Sequence, residues 1–88
     1  MNVIKKVGLL DKIRAIKEAP MMARFTLVTI RRSYNCIVIK PELTTILLML
    51  QDGKYNILVE GHFNKQKQLV VSSFTVRNPD KAAKELGL

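Results

Sequence analysis

Two runs of strand-forming residues, Tyr55 to Phe63 and Gln68 to Val76, are separated only by the polar stretch Asn64-Lys65-Gln66-Lys67. Runs rich in β-branched and aromatic types, joined by so short a connection, predict an antiparallel hairpin. A hairpin alone is not stable in water, so the remaining chain must cover at least one of its faces. On simple alternation Val70, Ser72, Phe74 and Val76 share one face, while Leu69 and Val71 begin the other. The chain has 88 residues, 48% of them hydrophobic, which suffices for one small core and predicts a single domain over residues 1–88.

Upstream, Val3, Val7, Leu9, Leu10, Ile13 and Ile16 fall on about half of a helical wheel, which predicts an amphipathic helix. Its firm part is expected at Leu9 to Glu18, after a weakening Gly8 and before the helix-stopping Pro20. Arg24 to Arg32 predicts a strand with Phe25 and Leu27 on one face and Val28 and Ile30 on the other, covered on both sides or laid against a partner. Ser33-Tyr34-Asn35 predicts a turn and Cys36 to Ile39 a second strand. Pro41 at a first helical position, the spacing of Leu43, Ile46, Leu47 and Leu50, and Gly53 as a stop predict a helix over Pro41 to Asp52. The competing reading is a strand ending in an Asp52-Gly53 hairpin. Asn78-Pro79-Asp80 opens a last helix, Pro79 to Leu86, with Gly87 behind it. The expected fold is therefore α+β: an N-terminal helix, strands, a middle helix, an antiparallel β-hairpin and a short C-terminal helix.

Fifteen Lys and Arg against seven Asp and Glu leave a net charge of +8, and the apolar content excludes a disordered basic tail. Such a surplus in a small domain favours polyanionic partners, nucleic acid above an anionic membrane. The longest apolar run, Ile46 to Leu50, is far short of the roughly twenty residues that a membrane-crossing helix needs. Asp11, Glu18 and the lack of Ser speak against an organelle presequence in the basic start. Cys36 has no second cysteine to pair with, which fits a reducing intracellular compartment, the mitochondrial matrix or the cytoplasm, and is expected to pack as a small hydrophobe. No phosphate-cradling glycine loop, nucleophile elbow or metal-ligand spacing occurs, and His62 stands alone. The expectation is a protein that is not an enzyme, with no cofactor, no metal and no small-molecule substrate.

The cations cluster in the sequence: Lys12, Arg14 and Lys17 on the expected first helix, Arg31 and Arg32 at a strand end, Lys65 and Lys67 in the hairpin tip. Side chains at helix ends and loop tips reach phosphate oxygens, and Tyr34 beside the Arg pair is placed to stack on a base or ribose. The plain alternative is a solvated surface. Aromatic residues are too few for a single-strand platform, so structured RNA read through shape and 2′-OH groups is the expected ligand.

Several short strings resemble the N-terminal domain of the small-subunit ribosomal protein number eight family. Leu9-Leu10-Asp11-Lys12-Ile13-Arg14-Ala15 is similar to its first helix with an Arg-Ile-Arg signature, and Ile37-Val38-Ile39 to the strand that follows. Ile46 to Tyr55 is similar to its second helix and Gly-aromatic end, and Leu58 to Pro79 to its hairpin, with Lys65, Val70-Val71 and Arg77-Asn78-Pro79. The likeness covers residues 7–79; the family's C-terminal domain with its Ser-Thr-Ser-x-Gly loop has no counterpart. The resemblance implies a shortened organellar ribosomal protein that holds an rRNA helix and supports neighbouring ribosomal proteins. Two other readings stand beside it. One is a small regulatory module, of viral type for instance, that binds a host protein through Arg24 to Arg32 and an exposed Met21-Met22 pair. The other is a signal-recognition-particle-like Alu-RNA binder, which requires residues 43–50 to form a strand.

Overall fold

A computed structural model describes residues 3–88. The elements in chain order are β1 (Ile4–Glu18), β2 (Met21–Val28), β3 (Ser33–Val38), α1 (Pro41–Leu48), β4 (Asn56–Phe63), β5 (Leu69–Val76) and α2 (Lys81–Glu85). The strands close into a barrel in the order β1-β2-β3-β5-β4, every pair antiparallel except the short parallel contact of β3 with β5. A five-stranded Greek-key barrel of this kind is the OB-fold topology. The expected α+β arrangement is thus corrected to a mostly-β barrel carrying two short helices.

The largest correction lies at the N-terminus, where the expected helix over Leu9 to Glu18 is the long strand β1. β1 pairs with β4 through Ile4 to Leu9 and with β2 through Leu9 to Glu18. Between Asp11 and Arg14 its register slips by one residue, so that Lys12 and Ile13 together oppose Phe25. This β-bulge changes the inward spacing from two to three: Leu10 is buried, and Ile13, not Lys12, is the next side chain packed on the core. A three-residue step within an apolar strand imitates helical periodicity, which is why the wheel pattern misleads.

The same effect corrects the faces assigned to β5. Ser73 pairs with Glu60 and Val71 with Gly61, leaving Ser72 as the extra residue of a bulge in β5. Leu69 and Val71 therefore point inward together with Phe74 and Val76. The groups displaced from the ladder find partners: the Ser72 hydroxyl donates to the Glu60 carbonyl at 3.0 Å, and the Lys40 ammonium donates to the Ser72 carbonyl at 3.1 Å.

Strand β2 begins and ends earlier than expected. Met21 and Met22 open it; Met21 is exposed, its sulfur accepting from the Thr45 hydroxyl, while Met22 is half-buried, so only one of the pair is exposed. Ser33, Tyr34 and Asn35 lie inside β3, and the turn falls at Thr29 to Arg32, where the Thr29 amide donates to the Arg32 carbonyl at 2.9 Å. Phe25 and Leu27 are buried as expected from their shared face, whereas Val28 and Ile30 on the other face are exposed. Residues 41–48 are helical, which removes the Alu-RNA reading. Among the described residues no helix is long and apolar enough to cross a membrane.

Helix α1 covers the barrel end at which β3 stops and β4 starts, with Leu47 buried and the Thr44 hydroxyl donating to the Val38 and Lys40 carbonyls. The opposite end gathers the start of β1, the β2–β3 turn and the β4–β5 loop. The core between them includes Leu10, Phe25, Leu27, Val38, Ile57, Val59 and Leu69, all buried. Cys36 is buried in it, its thiol pushed up to about 12 by burial, which makes it the packing residue expected and not a nucleophile.

Asp80 fastens the C-terminus. Its carboxylate caps α2 by accepting from the Ala83 amide at 2.9 Å, accepts the Tyr55 hydroxyl at 2.9 Å and pairs with Lys54. Lys54 first, and then the Ala83 amide, lower the Asp80 carboxyl from 3.8 to about 2. A carboxyl held below its unfolded value stabilises the fold above about pH 3.8, and that contribution disappears as pH falls toward 2. Asp80→Asn is expected to flatten this acid limb of stability against pH, measured by urea unfolding at stepped pH. Two glycines sit where backbones meet: a methyl on Gly61 would strike the Val70 carbonyl, and one on Gly8 would lie 2.5 Å from the Val28 oxygen. Gly61→Ala is expected to cost about 1–3 kcal/mol by urea unfolding, because the neighbour is backbone and cannot turn away.

Candidate functional site

Three depressions run together across the outer surface of β1, β2 and β3 and over the barrel end opposite α1. The first, about 400 Å³, is lined by Lys12, Arg14, Arg24, Phe25, Thr26 and Asn35. Asn35 also borders the second, about 440 Å³, with Arg32, Ser33, Tyr34, Phe63 and Lys67. Tyr34 in turn borders the third, with Lys5, Lys6, Val7, Thr29, Ile30 and Arg31. Strands β2 and β3 and the β4–β5 loop thus form one continuous cleft, the part of an OB barrel that serves as its usual ligand face.

The bulge in β1 builds the first depression. Lys12 adopts φ +52°, a left-handed conformation that a side chain with a Cβ occupies at a cost, and the slip turns Arg14 to stand directly opposite Arg24. The amide exposed by the slip, that of Ile13, donates to the Asp52 carboxylate at 2.8 Å. Asp52 lies in the loop after α1, whose Gly53 amide bonds the Leu10 carbonyl at 2.8 Å. The loop therefore holds β1 at the bulge. Like charges directly opposite on neighbouring strands repel. Among the described residues, Lys12, Arg14, Arg24, Arg32 and Lys67 have no carboxylate within ion-pair distance; the ion pairs present are Lys5 with Glu60 and Lys54 with Asp80.

The second depression has aromatic walls. Tyr34, at the start of β3, and Phe63, at the end of β4, bring their rings to 5.9 Å with a 38° tilt. The Lys6 ammonium stands 5.3 Å and the Arg32 guanidinium 5.9 Å from the Tyr34 ring centre. Lys67 reaches the site from a loop organised by Asn64, whose side-chain oxygen accepts the Gln66 and Gln68 amides at 3.0 and 2.9 Å. Lys67 too has a positive φ, +63°, so among the described residues both non-glycine residues with left-handed backbone are lysines of this cleft.

The structure brings together five of the residues singled out from sequence: Lys12, Arg14, Arg32, Tyr34 and Lys67. Arg31 stands beside them in the third depression, Lys65 is exposed in the β4–β5 loop outside all three, and Lys17 pairs its backbone with Met22 while its side chain lies outside the described ones. Sequence reasoning missed Lys6, Arg24, Thr26, Asn35 and Phe63, and it missed Asp52 as the support of the bulge. Arg24 carries a usable signal, a lone cation on the outward phase of a strand whose alternate residues are apolar. Phe63 carries none, because its nearness to Tyr34 arises only when the barrel closes.

No protein-family profile and no curated protein sequence matches the chain. Solved structures resemble it in fold. The yeast Stn1 and Ten1 structure matches with a TM-score of 0.71 and 16% identity over 97% of this chain and 48% of that one. The Saccharomyces cerevisiae mitochondrial single-stranded DNA binding protein Rim1 matches with a TM-score of 0.70 and 15% identity over 91% of this chain and 97% of its own. The Plasmodium falciparum SSB in complex with ssDNA matches with a TM-score of 0.66 and 14% identity over 89% of this chain and 96% of its own. The chain thus spans about half of the Stn1 and Ten1 chain and nearly all of the other two.

These likenesses, with the closed barrel, overturn the resemblance to small-subunit ribosomal protein eight. The strings quoted for its first helix lie in strand β1, and the solved structures that share the closed barrel's fold are those of Stn1 and Ten1, Rim1 and SSB. The assignments to rRNA, the small subunit and neighbouring ribosomal proteins are corrected with it.

The like-charge pair yields a test. Arg24→Gln is expected to raise stability at low ionic strength by about 0.2–1 kcal/mol, a gain that fades as salt screens the repulsion, measured by urea unfolding at stepped salt.

Proposed function

We propose that the chain is a single-stranded nucleic-acid-binding OB module, with ssDNA as its principal ligand, and that it works by binding and not by catalysis. The observation that carries this reading is the convergence of Lys12, Arg14, Arg24, Arg32 and Lys67, without carboxylate partners among the described residues, beside the Tyr34–Phe63 ring pair. Two of the structures similar in fold, one solved with ssDNA and one a single-stranded DNA binding protein by name, support it. A protein with a free buried thiol suits a reducing intracellular compartment, the mitochondrial matrix or the cytoplasm.

In this reading the backbone of a single strand lies along the first depression, where each phosphate relieves the repulsion between Arg14 and Arg24. Bases turn toward the barrel end and stack on Tyr34 and Phe63. Lys6 and Arg32, which stand over the tyrosine ring in the free protein, move the short distance to adjacent phosphates as a base takes their place. A platform of two rings serves any base, because every base presents a π-face, and the resulting recognition tolerates sequence. The scarcity of aromatic residues in the chain is no obstacle once the fold places two of them together.

Fluorescence anisotropy with a labelled single-stranded oligonucleotide at several salt concentrations tests the proposal. Tyr34→Ala is expected to weaken binding by about 1–3 kcal/mol, the usual worth of a stacked base. Arg14→Gln with Arg24→Gln is expected to reduce the slope of log K against log salt by about 1.4, two phosphate contacts at roughly 0.7 each. No binding at low salt, or a slope that the double variant leaves unchanged, overturns the reading.

A further inference from the structure

We propose that the β2–β3 turn is a second nucleic-acid contact, one that takes the end of a duplex where a single strand leaves it, so that the protein favours single-strand to double-strand junctions. The inference rests on the single-strand reading above and extends it to the third depression, whose turn residues that reading leaves unused.

Ile30 stands at the tip of this turn with its side chain fully in solvent, 105% exposed. Beneath it the turn is stiff. The Thr29 amide and hydroxyl both donate to the Arg32 carbonyl, at 2.9 and 2.7 Å, and the Arg32 amide donates back to the Thr29 hydroxyl at 3.2 Å. Ile30 is therefore held out and not merely loose. Cations surround it: Lys5, Lys6 and Arg31 line the same depression, with Val7 beside Ile30. Lys5 is engaged with Glu60 at 3.8 Å, an exposed pair that a phosphate readily replaces.

An apolar tip ringed by cations fits an object with an apolar flat face ringed by anions. The end of a duplex is such an object, since its last base pair is unstacked on one side and the phosphates of both strands form its rim. Apolar side chains act as wedges against base steps elsewhere in nucleic-acid recognition, with basic neighbours on the backbone. A bilayer also presents apolar matter behind anions, but one isoleucine buries too little to hold a protein there. Continuity decides for the duplex end: Tyr34 borders both this depression and the aromatic one, so a strand leaving the last base pair at Ile30 passes directly onto the stacking rings.

The experiment compares, by anisotropy with the full chain, one labelled oligonucleotide free in solution and the same oligonucleotide as an overhang of either polarity on a duplex. Phosphatidylserine-containing vesicles serve as a third ligand, and Ile30→Ser as the variant; a fully exposed side chain can be exchanged without loss of the fold. The wild type is expected to bind one overhang at least about five-fold tighter than the free strand, the lower bound of one stacking contact. Ile30→Ser should bring the two within two-fold, by the same reasoning, while leaving the free-strand affinity as it was. Equal binding of overhang and free strand by the wild type overturns the inference and leaves the single-strand function standing, as does a preference that survives Ile30→Ser. Vesicle binding that depends on Ile30, without a junction preference, overturns it in favour of a membrane surface. Failure to bind any of the oligonucleotides removes the proposed function and the junction with it.

Discussion

One strand has to serve two sheets. β1 pairs with β4 along its first half and with β2 along its second, and the barrel exists only because β1 can change direction between them. The two pairings meet at Leu9; the bulge at Lys12 and Ile13 follows within the β2-paired half and bends the strand there, and the Asp52 carboxylate supplies the hydrogen-bond partner that the slip takes from Ile13. Without a partner, that amide would oppose the slip; with it, the bulge is fixed in position along the strand. The loop that follows α1 bonds β1 just before the slip and at it, through Gly53 to Leu10 and through Asp52 to Ile13.

Closure and charge come from the same device. The slip that allows β1 to bend also turns Arg14 outward opposite Arg24 and forces Lys12 into a left-handed conformation at the rim of the cleft. A small barrel gains nothing in stability from opposed arginines and a strained lysine. Their cost is offset by burial elsewhere, in a core that fills the barrel from Leu10 to Val76. Local strain and charge without carboxylate partners are concentrated on one face, the face on which the proposed single strand would complete the electrostatics.

The aromatic part of the cleft has a different origin. Tyr34 begins β3 and Phe63 ends β4, and in a barrel where these strands run on either side of β5 both rings emerge at the end that α1 leaves open. The turn bearing Ile30, the start of β1 and the β4–β5 loop gather at the same end. Helix α1 and the Asp80 cap with Tyr55 and Lys54 hold other parts of the barrel and leave this end free for a ligand.

The hairpin of β4 and β5 could be read from the residues to within one position, because its strands are bounded by an abrupt polar stretch and need no distant contact to be recognised. The surplus of positive charge is a property of composition that no fold can change, and it favours polyanions among possible partners. Lys12, Arg14, Arg32, Tyr34 and Lys67 stood out by residue type as candidate phosphate or base contacts, and the fold brings them to one cleft. What tertiary structure decided is period and proximity. Bulges in β1 and β5 convert an alternation of two into a step of three, which read as a helix in one strand and as the wrong face in the other. Barrel closure then set Arg24 against Arg14 and Phe63 against Tyr34, and brought Asp52 to the bulge. Those contacts join strands and loops distant in the chain, and a linear sequence carries no record of distance until the hydrogen-bond ladder closes.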